Sequence, residues 1–285
     1  MTLFLDFRTA SDAGDILQRP RIYDAGPTAP AGGGIGKPLD RIPDERIANR
    51  HVVLATHGFN VSRVDGISCL AALEQKLNLG PDYAVIGVLW PGSWHHLVIN
   101  YPSEGRDASK TGDCLAAFLA TDLTRAASLS FLSHSLGGRV MLQAVRQLKG
   151  RAREVCVTAA AVDSRSIAPG RGYDAVRGKA DRITVLSSES DLVLCAVYPA
   201  GALAALALHL DDHPFGAALG LKGSDPRVLP AVANSPIPRN QGHDHGDYYP
   251  DPARPNARAD RSIAAMARAV AGDTVYWPHS GRIDR

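Results

Sequence analysis

From residue 51 onward the chain alternates two kinds of apolar pattern. His51 to Thr56 is a short β-branched run and reads as a buried strand. In Val64 to Leu79, Ile67, Leu70, Ala71, Leu73 and Leu77 recur near helical spacing, and Gly80-Pro81 closes the segment. Tyr83 to Trp90 predicts a second strand, ended by Pro91-Gly92. Ala108 to Leu123 sets Leu115, Phe118, Leu119 and Leu123 on one helical face. Ser128 to Ser133 predicts a third strand and Leu136 to Leu148 a third helix, ended by Lys149-Gly150. Glu154 to Val162 and Arg182 to Leu186 follow as strands, and Ser262 to Val270 as a late helix. No internal repeat is visible.

Strands and helices alternating at these intervals imply an α/β fold, a mostly parallel sheet with helices on both faces. In such sheets ligands bind beyond the carboxyl ends of the strands, so chemistry is expected just after each strand. Residues 1–50 form a lead-in with a strand at Leu3 to Phe7, antiparallel or irregular, and a Pro/Gly-rich loop from Arg19 to Lys37. Within that loop, Ala31 to Lys37 has a phosphate-loop flavour. It lacks the first Gly of that motif, has Pro38 where Ser or Thr is needed, and follows no strand, so a nucleotide site is rejected. Leu192 to Leu208 is uncharged and close to the minimum length for a membrane span. Pro199 and Gly201 interrupt it, which predicts two short apolar helices with a bend and no stable membrane insertion.

Composition narrows the function classes. The chain has 285 residues, 45% hydrophobic and 21% charged, enough to build a sizeable core and too apolar for disorder. Thirty-one basic residues against 29 acidic give +2, which carries no electrostatic footprint for nucleic acid. Cys69, Cys114, Cys156 and Cys195 have no C-x-x-C spacing and fall in apolar stretches, as buried free thiols would in a reducing compartment. No charged-then-apolar leader opens the sequence, and the cytoplasm is the expected location.

The third predicted strand runs through Ser133-His134-Ser135-Leu136-Gly137-Gly138 directly into a helix. A serine at so sharp a turn needs small residues two positions away on either side, here Ser133 and Gly137. That is the layout of a nucleophile elbow with Ser in place of the first Gly. The turn presents the Ser135 hydroxyl above the sheet edge, and the helix N-terminus offers free amides to a developing oxyanion. A serine N-cap ahead of an ordinary helix is the plainer alternative. The first strand after residue 50 ends in His57-Gly58-Phe59-Asn60, a step that suits an oxyanion loop in which the Phe59 amide faces the Leu136 amide.

With these residues the chain resembles the α/β-hydrolase superfamily, and within it an uncharacterised bacterial group of serine hydrolases akin to lipases and esterases. The resemblance rests on Val53 to Asn60, Leu89 to Ser93, Leu132 to Arg139 and Arg182 to Leu194, and covers roughly residues 50–250. It implies a Ser-acid-His triad in that chain order, an acyl-enzyme mechanism and no cofactor. By it Asp191 is the expected acid, with Asp163 at the end of the preceding strand as competitor. His245, in the Gly-flanked loop Gly242 to Tyr249, is the expected base, with His243 as runner-up. A metal site built on His243, His245 and Asp247 is the alternative chemistry, weakened by Tyr248 where a further His belongs.

The implied function is cleavage of a small-molecule acyl ester through Ser135, Asp191 and His245, with Phe59 and Leu136 as oxyanion donors. An acyltransferase or thioesterase on the same triad, or a non-catalytic binding protein of the same fold, are the alternatives. The expected organisation is a lead-in of residues 1–50 and a hydrolase domain of residues 51–285. Within that domain 192–240 is a possible cap lining an acyl pocket.

Overall fold

The computed structural model describes residues 3–9, 15–25, 36–92, 101–196, 198–199, 216–225, 228, 232–275 and 277. Its spine is a nine-stranded sheet in the order β3-β2-β1-β5-β4-β6-β7-β8-β9. The strands are β1 (Leu3–Arg8), β2 (Ile16–Asp24), β3 (Lys37–Leu39), β4 (His51–Thr56), β5 (Tyr83–Leu89), β6 (Ser128–His134), β7 (Ala152–Thr158), β8 (Ile183–Ser188) and β9 (Val232–Ile237). All neighbouring pairs from β1 to β9 are parallel, and only β2 runs antiparallel to its neighbours β1 and β3.

Strand alternation builds two cores, one on each face of the sheet. On β4, Val52 and Leu54 join Phe118, Leu119, Met141 and Val145, which come from α3 (Tyr101–Asp122) and α4 (Gly137–Gln147). Val53 and Ala55 face the other way, toward Ile67, Leu70 and Leu73 of α2 (Arg63–Leu77) and Ile263 and Met266 of the last helix, Ala257–Ala271. Helices thus cover both faces, and the carboxyl ends of the parallel strands lie at one edge of the sheet.

Several elements differ from the expectations. β1 is the expected strand and pairs antiparallel with β2, but its other edge runs parallel to β5, which sets the lead-in inside the sheet. Residues 16–24, expected to be partly loop, form β2; Pro20 and the exposed Arg19 and Arg21 hide the strand signal, and the strand lies one place from the sheet edge. β9 closes the opposite edge, where its Pro236 is tolerated, and it falls inside the 192–240 segment. β7 stops at Thr158, because Ala159 turns left-handed with φ 44° and the chain leaves the sheet. The 31–37 loop of the rejected phosphate motif lies largely outside the described residues, as does all of 200–215, which includes most of the second helix expected within Leu192 to Leu208. Among the described residues no helix is long and apolar enough to cross a membrane. All four cysteines are free, but Cys195 is exposed and Cys69 only half-buried; only Cys114 and Cys156 fit the expectation of buried thiols.

At the amino end of the sheet, the fully buried Glu154 carboxylate pairs with Arg182. Arg182 also donates to the carbonyls of Ala269 and Gly272 at the end of the last helix. Desolvation raises the Glu154 pKa to about 6 even against this partner. Arg182→Met strands that carboxylate, and the expected loss is about 3 kcal/mol of unfolding free energy, measurable by urea titration at pH 8.

Candidate active site

Ser135 ends β6 in the left-handed region, with φ 55°. For a non-glycine residue that conformation is strained by on the order of 1 kcal/mol and needs outside support. The support is dense. The Ser135 N–H donates to Thr158 O at 3.0 Å, and its carbonyl accepts from Gly138 N at 2.9 Å and Ala161 N at 3.1 Å. The neighbouring backbones leave no space for extra atoms. A Cβ on Gly137 would sit 2.3 Å from His57 O, and one on Gly58 would sit 2.9 Å from Ser135 Cβ. A glycine is therefore required two positions after Ser135, and another at Gly58 on the facing loop.

His245 opens a one-turn 3-10 helix, His245–Asp247, held by a capping box in which Asp244 and Asp247 exchange hydrogen bonds with backbone amides. Its Nε2 lies 2.9 Å from Ser135 Oγ, and its Nδ1 lies 2.8 Å from Asp191 Oδ2. Asp191, just past β8, is fully buried, and its other oxygen accepts from Leu194 N at 2.9 Å, capping the helical residues 192–196. Asp244 Oδ1 accepts from both His245 N (2.8 Å) and Leu192 N (3.0 Å), so one carboxylate ties the two loops together. The consistent proton arrangement has Ser135 donating to Nε2 and Nδ1–H donating to Asp191.

The competing residues lie elsewhere. Asp163 pairs with Arg165, accepting from its backbone N–H and its guanidinium. His243 is fully buried, its Nε2–H donating to Ser262 Oγ at 2.9 Å while Ser262 donates to Asp247 O. Its ring meets Tyr248 and Trp277 edge-on. Asp247 takes up Asn256 and Arg258. The side chains of the alternative metal pattern are thus each committed to protein partners, and no metal-competent group of three occurs among the described residues.

Beside Ser135 runs the His57–Asn60 loop. Its groups are fixed one by one: Trp90 Nε1–H donates to His57 O at 3.0 Å, His57 Nδ1–H to Gly58 O at 2.8 Å, and Arg8 Nη2 to Val61 O at 2.9 Å. Arg8 and its neighbour Asp6, both buried on β1, are the participants that sequence reading missed. Their only signal was a pair of charges spaced two apart in an apolar strand. The amides of Phe59 and Leu136 donate to no protein acceptor among the described residues.

A cavity of about 530 Å3 is walled by His57, Gly58, Cys69, His134, Gly246 and Tyr249; His134 and Gly246 are the chain neighbours of Ser135 and His245, which do not themselves line it. Asp65 and Asp251 also line it, and no Lys or Arg does among the described residues. His134 donates from Nε2 to His245 O at 2.8 Å, its ring 4.8 Å from that of His245. Burial and the neighbouring His245 lower its pKa to about 3. Burial and the Arg8 charge likewise take His57 to about 3, and burial takes His243 to about 4. These imidazoles are neutral in the fold and charge when unfolded below about pH 6.5. Their stabilisation is complete above that pH and is lost as pH falls to about 4 for His243 and about 3 for His57 and His134. His243→Gln removes one of them, so urea titrations should show a stability loss shallower by about 1 kcal/mol per pH unit between pH 6 and 5.

The chain is similar to several solved structures. Esterase PE8 shares 14% identity over 80% of this chain and 96% of its own, with a TM-score of 0.43. A putative dienelactone hydrolase from Klebsiella pneumoniae shares 15% over 79% and 88%, with a TM-score of 0.45. Lipase B from Aspergillus fumigatus shares 12% over 94% of this chain and 64% of its own, with a TM-score of 0.47. No curated protein sequence matches the chain. The model of one family, described as alpha/beta hydrolase of unknown function (DUF900), matches residues 42–198, a span holding Phe59, Ser135, Leu136 and Asp191 but neither Arg8 nor His245. The chain belongs to that α/β-hydrolase family.

Proposed function

We propose that the protein is a serine hydrolase that cleaves a carboxylic ester of a small molecule through an acyl-enzyme intermediate. The observation that carries the reading is the His245 imidazole bridging a strained, buried serine hydroxyl and a buried carboxylate at 2.9 and 2.8 Å. His245 Nε2 takes the Ser135 proton as Oγ attacks the ester carbonyl. Asp191 holds the Nδ1–H tautomer and stabilises the imidazolium that forms. The Phe59 and Leu136 amides receive the negative oxygen, each such donor being worth about 3 kcal/mol. Collapse of the tetrahedral species expels the alcohol, which takes its proton from His245. Water then attacks the acyl-Ser135 ester with His245 again as base, releasing the acid and restoring the serine.

The chemistry needs no cofactor or metal. A cavity wall with two carboxylates and no cation among its described lining residues suits an ester free of phosphate better than a coenzyme A thioester. The four free cysteines favour a reducing, cytoplasmic setting. Residues 192–240 are our candidate for a cap, less β9 and the Leu219–Lys222 turn, which pack with the sheet.

Ser135→Ala should lower kcat for p-nitrophenyl butyrate by about 10^6-fold and Asp191→Asn by about 10^4-fold, with melting temperatures near that of the wild type. A fluorophosphonate should add one adduct, on Ser135, and a chelator should leave turnover unchanged. A folded Ser135→Ala protein with wild-type turnover would sink the reading.

A further inference from the structure

We propose that Arg8, on the N-terminal strand, is a positioning residue that sets the direction of the Phe59 N–H. This rests on the oxyanion role given to Phe59 above. The Arg8 guanidinium is almost fully buried, as is Asp6 two residues before it. Burying charge costs folding free energy that an apolar side chain of similar volume would not, so what Arg8 adds is geometry. Both side chains share the sheet face of Phe4, where the register of β1 against β2 shifts between Asp6 and Arg8. Such irregularities re-aim side chains beside functional sites. Asp6 Oδ1 accepts from Arg8 N at 3.0 Å, and its other oxygen lies 2.5 Å from Arg63 Nη2 at the start of α2.

From this anchored strand the Arg8 Nη2 reaches two points of the loop. It lies 3.0 Å from His57 Nε2 and 2.9 Å from Val61 O. A guanidinium can only donate, so Nε2 must be the bare nitrogen of a neutral imidazole and the proton must sit on Nδ1. Trp90 N–H, at 3.4 Å from the same nitrogen, makes the same demand. The Nδ1 proton is then committed to Gly58 O at 2.8 Å. Gly58 C=O and Phe59 N–H belong to one planar peptide unit and point in opposite directions. Fixing the carbonyl therefore fixes the amide. The sequence of causes runs from Arg8 to the His57 tautomer, to the Gly58 carbonyl, to the Phe59 donor.

Arg8 lies outside the span that the family model matches, so the N-terminal segment contributes to this chain's active site from beyond that span.

The test compares Arg8→Met, Arg8→Lys and, as a control of comparable destabilisation at the far end of the sheet, Arg182→Met. Each is assayed for kcat and KM on p-nitrophenyl butyrate and for inhibition by a trifluoromethyl ketone, whose hemiketal with Ser135 carries the oxyanion. Arg8→Met should lose about 30- to 100-fold in kcat, part of the value of one oxyanion donor. KM should stay within about twofold and the inhibition constant should rise in step with the loss. Arg8→Lys, which restores a donor without the fork, should recover part of the loss, to about fivefold below wild type. Arg182→Met should change melting temperature alone. If Arg8→Met does not fold, the Lys variant decides on the same two readouts. Folded Arg8 variants with wild-type kcat and inhibitor affinity overturn the proposal and leave the hydrolase reading standing. A wild-type protein that neither turns over the ester nor reacts with a fluorophosphonate overturns both.

Discussion

The site depends on how closely two backbones approach. At the end of β6 the chain reverses into α4 through a left-handed serine, and the His57–Asn60 loop packs against that turn with no room for a side chain on either contacting glycine. Close packing of this kind is unforgiving, since interiors yield little to an added atom. It holds a strained residue in place without any special interaction at the hydroxyl itself. The strain of Ser135 is supported by its three backbone hydrogen bonds, which come from the ends of β7 and α4. Position, rather than electrostatics, is the first thing the fold provides there.

Electrostatics enters around this geometry in a graded way. His57, His134 and His243 are all held neutral, chiefly by burial, and each spends its protons on a nearby acceptor. His245 differs in facing a carboxylate on one side and a hydroxyl on the other. Four imidazoles in one neighbourhood therefore do different work because their partners differ. The runner-up base, His243, becomes a wedge between Ser262, Tyr248 and Trp277.

Much of the central fold was legible because the strands from β4 to β8 are apolar runs separated by helices with clear periodicity. Ser135 and Gly137 were legible for a local reason: a tight turn dictates its own small neighbours. The two ends of the sheet were less so. β2 carries Pro20 and exposed charges, and β9 carries Pro236, which suit strands near or at an edge and blur the pattern by which strands are recognised. His245 was preferred to His243 by resemblance alone, since both stand in the same polar loop and their different partners show only in three dimensions. Arg8 had no sequence signal beyond an improbable place for a charge, because its partners lie 49 and 53 positions away.

Asp244 has a mechanical consequence. By receiving the amides of Leu192 and His245 on one oxygen, it couples the start of the segment beyond Asp191 to the turn that bears His245. Any repositioning of that segment, for instance to admit a bulky molecule, would tug on the imidazole's own backbone. Access and proton transfer would then share a hinge, and a guest that lifts the segment too far would switch off the chemistry it came for.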